Sequence, residues 1–381
     1  MRVAVLSSLD EVAPEAWDAL AGDDDPFVEH AFLSALERSG AVGAEAGWVP
    51  MHVTVWDDSE LVGALPLYLK DHSYGEFIFD WAWADASSRL GAPYYPKLVS
   101  MVPLTPATGR RLLVREDDPR RADIVRTLRA GCLELAERTR ASSVHILFTT
   151  DGEAAALAED GPLFRRLSSQ FHWHNRGYAD FDAFLAEFRA NVRKQTRRER
   201  SAVAASGLRI ETKTGAELDE RAWEALHRFY VNTCWRKGSP EYLPPEFFTE
   251  LRARAAARVV AVLAYRGDEI VAGTLNFEKG KHIYGRYWGA TEDVEYLHFE
   301  LCYYRLIERA IEKGMDRFEA GAQGHHKLRR GLMPSEIHSV HWVRHPVLSR
   351  AVEEHVLREA GAVRHEMREL ARHGPFRREM P

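Results

Sequence analysis

Apolar and polar positions follow two periods along this chain, and the period changes at glycines, prolines and acidic pairs. Phe27, Ala31, Leu33 and Leu36 recur at near-helical spacing and predict a helix over Phe27–Ser39. Met51–Trp56 and Leu61–Leu69, parted by Asp57 and Asp58, predict a hairpin, with a further strand at Glu76–Trp83. Pro93, Pro96, Pro103 and Pro106 then break regular structure apart from a short strand at Lys97–Val102. A helix over Ile124–Thr139 and a strand over Ser143–Phe148 close the first half.

The second half opens with a strand, Gln170–Asn175, and one long helix from Phe181 to Ala205 that carries Phe184, Phe188 and Val192 on one side. Later come a strand (His282–Trp288), a loop with Glu292, Asp293 and Glu295, and a helix over Leu297–Lys313 stopped by Gly314. A strand at Met315–Ala320 runs into the Gly-rich turn Gly321–Gly324 and the basic segment His325–Arg330. Pro346–Pro381 reads as a helix with a basic tail.

Three blocks recur in one order. Glu60–Tyr68 matches Glu269–Phe277 in pattern, Phe79–Trp83 matches Tyr284–Trp288, and Leu135–Val144 parallels Ile307–Gly314 with its following strand. A duplicated α/β unit follows, with an expected partition into residues 1–168, 169–345 and a helical tail, 346–381. In this register Phe148 stands where the second copy has Glu319, so the first copy reads as worn and the chemistry is assigned to the second.

Composition narrows the classes. The 381 residues are 45% hydrophobic and 28% charged, ordinary values for a globular chain. No apolar run approaches the roughly 20 residues that span a bilayer, and the first residues do not resemble a signal peptide, so a cytoplasmic location is expected. Cys132, Cys234 and Cys302 are widely spaced, which argues against disulfides and structural zinc. A net charge of −6 means that any anion site is local.

Asn191–Leu208 (NVRKQTRRERSAVAASGL), Gly273–Phe277 (GTLNF) and Phe318–Leu332 (FEAGAQGHHKLRRGL) resemble the Fem-type peptidoglycan-bridge aminoacyltransferases. Tyr74–Ala86, Tyr94–Leu98, Gln170–Asn175, Tyr284–Ala290 and Leu297–Tyr304 resemble the bacterial Fem-like branch of predicted N-acyltransferases, within the GNAT superfamily. The resemblance implies an α/β (α+β) fold of tandem GNAT-like domains. It implies direct transfer of an activated acyl or aminoacyl group to an amine of a peptide or peptidoglycan-precursor acceptor, with no metal and no covalent enzyme intermediate. The donor is then aminoacyl-tRNA, as in Fem-type enzymes, or acyl-CoA, as in ordinary GNAT enzymes. The Ala290–Leu297 stretch, with three acids where GNAT enzymes carry a pyrophosphate loop, disfavours CoA. Two rival readings are an acyl-CoA-dependent enzyme for a small amine or amino acid, and a non-catalytic cell-wall or peptide-binding module.

Direct aminolysis needs a base for the amine and donors for the oxyanion. Glu319 is the candidate base, with His298 as a second and Glu300 at the helix opening. Tyr284 or Tyr287 is a candidate to protonate the leaving group, and Trp288 on the same strand to bind substrate. Lys327, Arg329 and Arg330 suit phosphate or carboxylate recognition, and the basic helix with Arg193 and Arg197 suits tRNA phosphates or a nucleotide-linked precursor. His172 and Asn175 are placed along an acceptor cleft, and Asp85, near Trp81 and Trp83, beside a peptide or sugar. His325 and His326 have no third ligand at metal spacing, which argues against zinc. The oligomeric state is left open.

Overall fold

A computed structural model of the chain describes residues 1–159, 161–321 and 324–377. Ala322 and Gln323, in the middle of the expected Gly-rich turn, lie outside the described residues, as does the side chain of His325.

The chain forms two compact units. The first comprises Met1–Ser169 and Glu336–His365, the second Gln170–Ser335 and the residues from Glu366. The partition is therefore not linear. Residues 336–345, expected in the second lobe, belong to the first unit because His338–Val343 pair antiparallel with Ser143–Thr149. In the helix Pro346–Arg372, Leu348, Val352 and Val356 pack with Trp83 and Tyr94 of the first unit, while Leu370 packs in the core of the second.

In the first unit, Arg2–Leu6, His52–Asp57 and Glu60–Leu65 form one antiparallel sheet. A second sheet runs Trp48–Pro50, Tyr68–Lys70, Lys97–Ser100, Ser143–Thr149 and the returning His338–Val343. Lys97–Ser100 and Ser143–Thr149 are parallel, joined by the crossover helix Arg121–Thr139. Ile124, Leu128, Cys132 and Leu135 on that helix pack with Val53, Val55, Leu98 and Ile146. Each fully buried aliphatic side chain of this kind contributes about 1.5–3 kcal/mol. Arg140, left-handed at φ 55°, ends the helix.

The second unit repeats the crossover. Arg209–Thr214, Val259–Arg266, Glu269–Lys279 and His282–Ala290 form an antiparallel run, and His282–Ala290 then pairs in parallel with Arg317–Glu319. The helical segment Leu297–Glu312 makes the crossover, and His172–His174 pair with Arg317–Glu319 on the far side.

Three expected elements differ. Glu76–Trp83 is not a strand: Asp71–Asp80 is irregular and Trp81–Arg89 is a helix, because Glu76 and Asp80 turn inward onto buried lysines. The long helix Phe181–Ala205 is two, Phe181–Ala186 and Ala190–Ala204, broken where the Arg189 amide donates to the Pro375 carbonyl, 2.8 Å. The crossover helix of the second unit contains a π turn, Glu300–Tyr304.

Candidate active site

The parallel strands of the second unit touch only over His282–Tyr284 and Arg317–Glu319. Past Tyr284 the first strand stays paired through Ala290 on its other side, while the second strand passes through Ala320 into Gly321. Lys327, on the short helix His325–Arg330, reaches this point: its Nζ donates to the Gly321 carbonyl, 2.7 Å, and only 2% of the residue is exposed. Burial, with the charges of Lys237 and Arg286 nearby, lowers its pKa to about 7. An amine in this state is half neutral near pH 7.

The π turn sets the surroundings. It lets His298 and Tyr303 lie with ring centroids 5.5 Å apart, and His298 also meets Trp288 at 5.1 Å and His326 at 5.8 Å. Tyr303 Oη and His326 Nε2 share a hydrogen bond of 2.9 Å. Burial holds His298 down to about 4, with His326, Arg330, Lys237 and Lys327 adding to the shift, so it is a neutral imidazole at pH 7. Burial pushes the Cys302 thiol and the Tyr303 phenol up, so both keep their protons. The cluster is cation-biased and its other members are neutral hydrogen-bonding groups, which favours an anion or a developing oxyanion.

Glu319 ends the short parallel pairing, two residues before Gly321. It is 2% exposed, lies opposite His172 in register, and has Arg317 Nε at 3.1 Å and His172 Nε2 at 3.7 Å. Its charge is compensated by a guanidinium, as a structural ion pair requires. Burial, and then the charge of Arg317, drives His172 well below its ordinary value, so the imidazole is neutral.

The other expected residues separate by environment. Glu300 is buried between Arg200 (3.1 Å) and Arg305 (3.0 Å), which makes it a tie between helices. Arg330 bonds Glu199 at 2.9 Å and lies 3.3 Å from the Phe299 ring centroid, so it anchors the basic helix. Arg329 is exposed. Tyr287 packs edge-on against Tyr230, 5.1 Å between centroids. Asn175 shapes a turn, donating to the Met315 carbonyl and accepting from the Gly177 and Tyr178 amides. Arg197 makes a surface pair with Asp182, 3.0 Å, and Arg193 bonds the Ala186 carbonyl, 3.4 Å. Asp85 is exposed on the helix Trp81–Arg89 of the first unit. In the loop ahead of the crossover helix, Glu292 is held by Arg266, 2.6 Å.

Sequence reasoning missed a second buried polar group, in the copy it read as worn. Lys70 and Lys97 lie directly opposite one another on adjacent strands, each almost wholly buried, with Glu76 and Asp80 between them. Next to them, His145 Nδ1 and His341 Nδ1 are 2.8 Å apart, and each Nε2 bonds a serine, Ser143 or Ser339. The signal lay inside motifs already noted: Tyr74–Ala86 carries Glu76 and Asp80, and Tyr94–Leu98 carries Lys97. Among the described residues no group of three or more His, Cys, Asp or Glu is arranged to hold a metal ion, and no helix is long and apolar enough to cross a membrane.

These crossovers define a mixed α/β fold with the same parallel unit in each half, and solved structures share it. A crystal structure of FemX aligns at a TM-score of 0.56 with 11% identity, over 93% of this chain and 100% of that one. The C-terminal domain of a putative lysylphosphatidylglycerol synthetase from Agrobacterium fabrum aligns at 0.56 with 11% identity, over 92% and 98%. L-PGS from Bacillus licheniformis aligns at 0.50 with 12% identity, over 88% and 98%. No curated protein matches in sequence. The chain belongs to the FemAB-like family, described as peptidoglycan biosynthesis/recognition, whose profile matches residues 8–378.

Proposed function

We propose that the chain is an N-acyltransferase that moves an activated acyl or aminoacyl group directly onto the amine of a peptide or peptidoglycan-precursor acceptor, with Lys327 at its chemical centre. The observation that carries this reading is a buried lysine amine with a pKa of about 7 at the point where two parallel strands part. In its neutral form Lys327 takes the proton lost by the attacking nitrogen. As the new C–N bond forms and the bond to the leaving oxygen or sulfur breaks, the ammonium returns that proton to the leaving atom. While protonated it also faces the tetrahedral oxyanion, with the Tyr303 hydroxyl as a neighbouring donor.

The exposed cations of the basic helix, Lys194, Arg197 and Arg198, favour a polyanionic donor such as aminoacyl-tRNA, and Asp293 and Glu295 at the mouth of the crossover helix disfavour a CoA pyrophosphate. The test offers labelled aminoacyl-tRNA or acyl-CoA with an amine-bearing muropeptide. Transfer from the tRNA, lowered about a hundredfold or more by Lys327→Met, is expected. Full activity in that variant, or transfer from neither donor, overturns the reading.

A further inference from the structure

The buried cluster of the first unit has no part in that chemistry, yet it is expensive to build. Two lysines in direct cross-strand register repel one another, and burying them costs several kcal/mol apiece unless anions and hydrogen-bond acceptors compensate. The anions and acceptors come from one irregular segment, Asp71–Asp80, which Tyr94 and Tyr95 brace. Lys97 Nζ donates to Ser73 Oγ (2.7 Å), Glu76 Oε2 (2.9 Å) and Asp80 Oδ2 (2.5 Å). Lys70 Nζ donates to the Tyr74 carbonyl (2.7 Å), lies 3.2 Å from Glu76 Oε1 and sits 3.3 Å from the Trp48 ring centroid. Tyr94 Oη donates to Asp80, Tyr95 Oη shares a bond with Ser73 Oγ, and Arg166 donates to the Phe79 carbonyl.

This lock fixes a loop whose outward side chains are aromatic. Tyr74 is 59% exposed, Phe79 50% and Trp81 40%. Their rings form one patch: Tyr74 meets Trp81 edge-on at 5.2 Å, and Phe79 lies nearly parallel to Trp81, 6.5 Å away at 20°. Holding three apolar rings in water is unfavourable for a free chain, and a pinned loop that does so marks a recognition surface. Because the backbone is already ordered, a ligand meeting it loses little conformational entropy.

We propose that Asp71–Trp81 is a preorganised saccharide-binding loop, in which Tyr74, Phe79 and Trp81 stack on the C–H face of an uncharged pyranose. A pyranose offers one face of C–H groups and a rim of hydroxyls. The rings match the face, and the Tyr74 hydroxyl, the His72 imidazole beside it at 5.6 Å and the exposed Asp71 match the rim. Charge separates this ligand from others: Asp71, Glu45 and Asp85 are exposed about the loop with Arg89, and Arg166 is paired with Glu359, so no net positive field attracts a phosphate backbone or an anionic lipid surface. The inference rests on the acceptor of the proposed reaction being a glycan-linked peptide.

The test is calorimetric titration of the full chain with a β-1,4-linked N-acetylglucosamine tetramer. Wild type binds saturably, and Trp81→Ala and Tyr74→Ala each weaken binding roughly tenfold without altering the fold, since both side chains are at the surface. Ser73→Ala, which removes contacts from Lys97 and Tyr95 but none from the platform, also weakens binding while the circular dichroism stays unchanged. Lys327→Met binds the tetramer as wild type does, so loss of transfer and loss of sugar binding are separable. Absence of saturable binding, equal affinity in Trp81→Ala, or adsorption to phosphatidylcholine vesicles in place of the tetramer overturns the proposal.

Discussion

Lys97 illustrates how one residue can hold a whole segment. Its ammonium is surrounded by Ser73, Glu76 and Asp80, and replacing it with methionine leaves two carboxylates buried with Lys70 as their remaining lysine partner. Breaking a buried ion cluster from one side typically costs about 3–5 kcal/mol, so urea unfolding of Lys97→Met is expected to show a loss of that size. The cluster also gives an acid limb to stability. Burial raises and Lys97 lowers the Asp80 pKa, and the result is about 2, below the unfolded value of 3.8. A carboxyl depressed in the folded state contributes stability that is complete above pH 3.8 and is lost as the pH falls through 2. Wild type should therefore lose stability more steeply than Asp80→Asn between pH 4 and 2; parallel curves would contradict this account of Asp80. Glu76, raised by burial, works against the trend in both proteins. None of this was legible at the residue scale, because the sequence shows Glu76, Asp80 and Lys97 as ordinary charges. What distinguishes them is a partner brought close by sheet register.

At the scale of elements, legibility followed the range of the interactions. Strand alternation and turn residues located the hairpin of the first unit and both crossover helices, since those elements are fixed by neighbours in the chain. Glu76–Trp83 was misread as a strand because Glu76 and Asp80 turn inward to two lysines on other strands. The π turn over Glu300–Tyr304 was invisible for a different reason: one extra residue in a turn keeps the apolar positions near helical spacing while shifting His298 and Tyr303 into the cluster. Close packing of elements makes a sharp prediction. A β-carbon on Gly289 would lie 2.2 Å from the Phe229 carbonyl oxygen of the helix Glu220–Lys237. Gly289→Ala should force strand and helix apart and cost about 1–3 kcal/mol or more, measurable by thermal unfolding. Gly152, in the helix Asp151–Ala158, has nothing within 4 Å of its added β-carbon, so Gly152→Ala should be neutral or stabilising by up to about 1 kcal/mol.

For the whole molecule, the repeated blocks disclosed a duplicated α/β unit, and the same parallel crossover is present in each unit. The linear division failed because the strand His338–Val343 returns to the first unit, a long-range pairing that no local pattern records. Of the candidate site residues, His298 and Trp288 lie ring against ring, Lys327 was singled out as a cation for anion recognition rather than for proton transfer, and the base was sought at Glu319, beside which the fold sets Arg317. The central claim is that Lys327 exchanges the proton during acyl transfer. Single-turnover transfer to an amine acceptor, followed across pH 5.5–8.5 in wild type and Lys327→Met, tests it most directly. A lysine lowered to about 7 must be neutral to act as base, so the wild-type rate should rise with pH through about 7 and level off above it, and Lys327→Met should show neither the rate nor the rise. The same pH-dependent rate in Lys327→Met would contradict it.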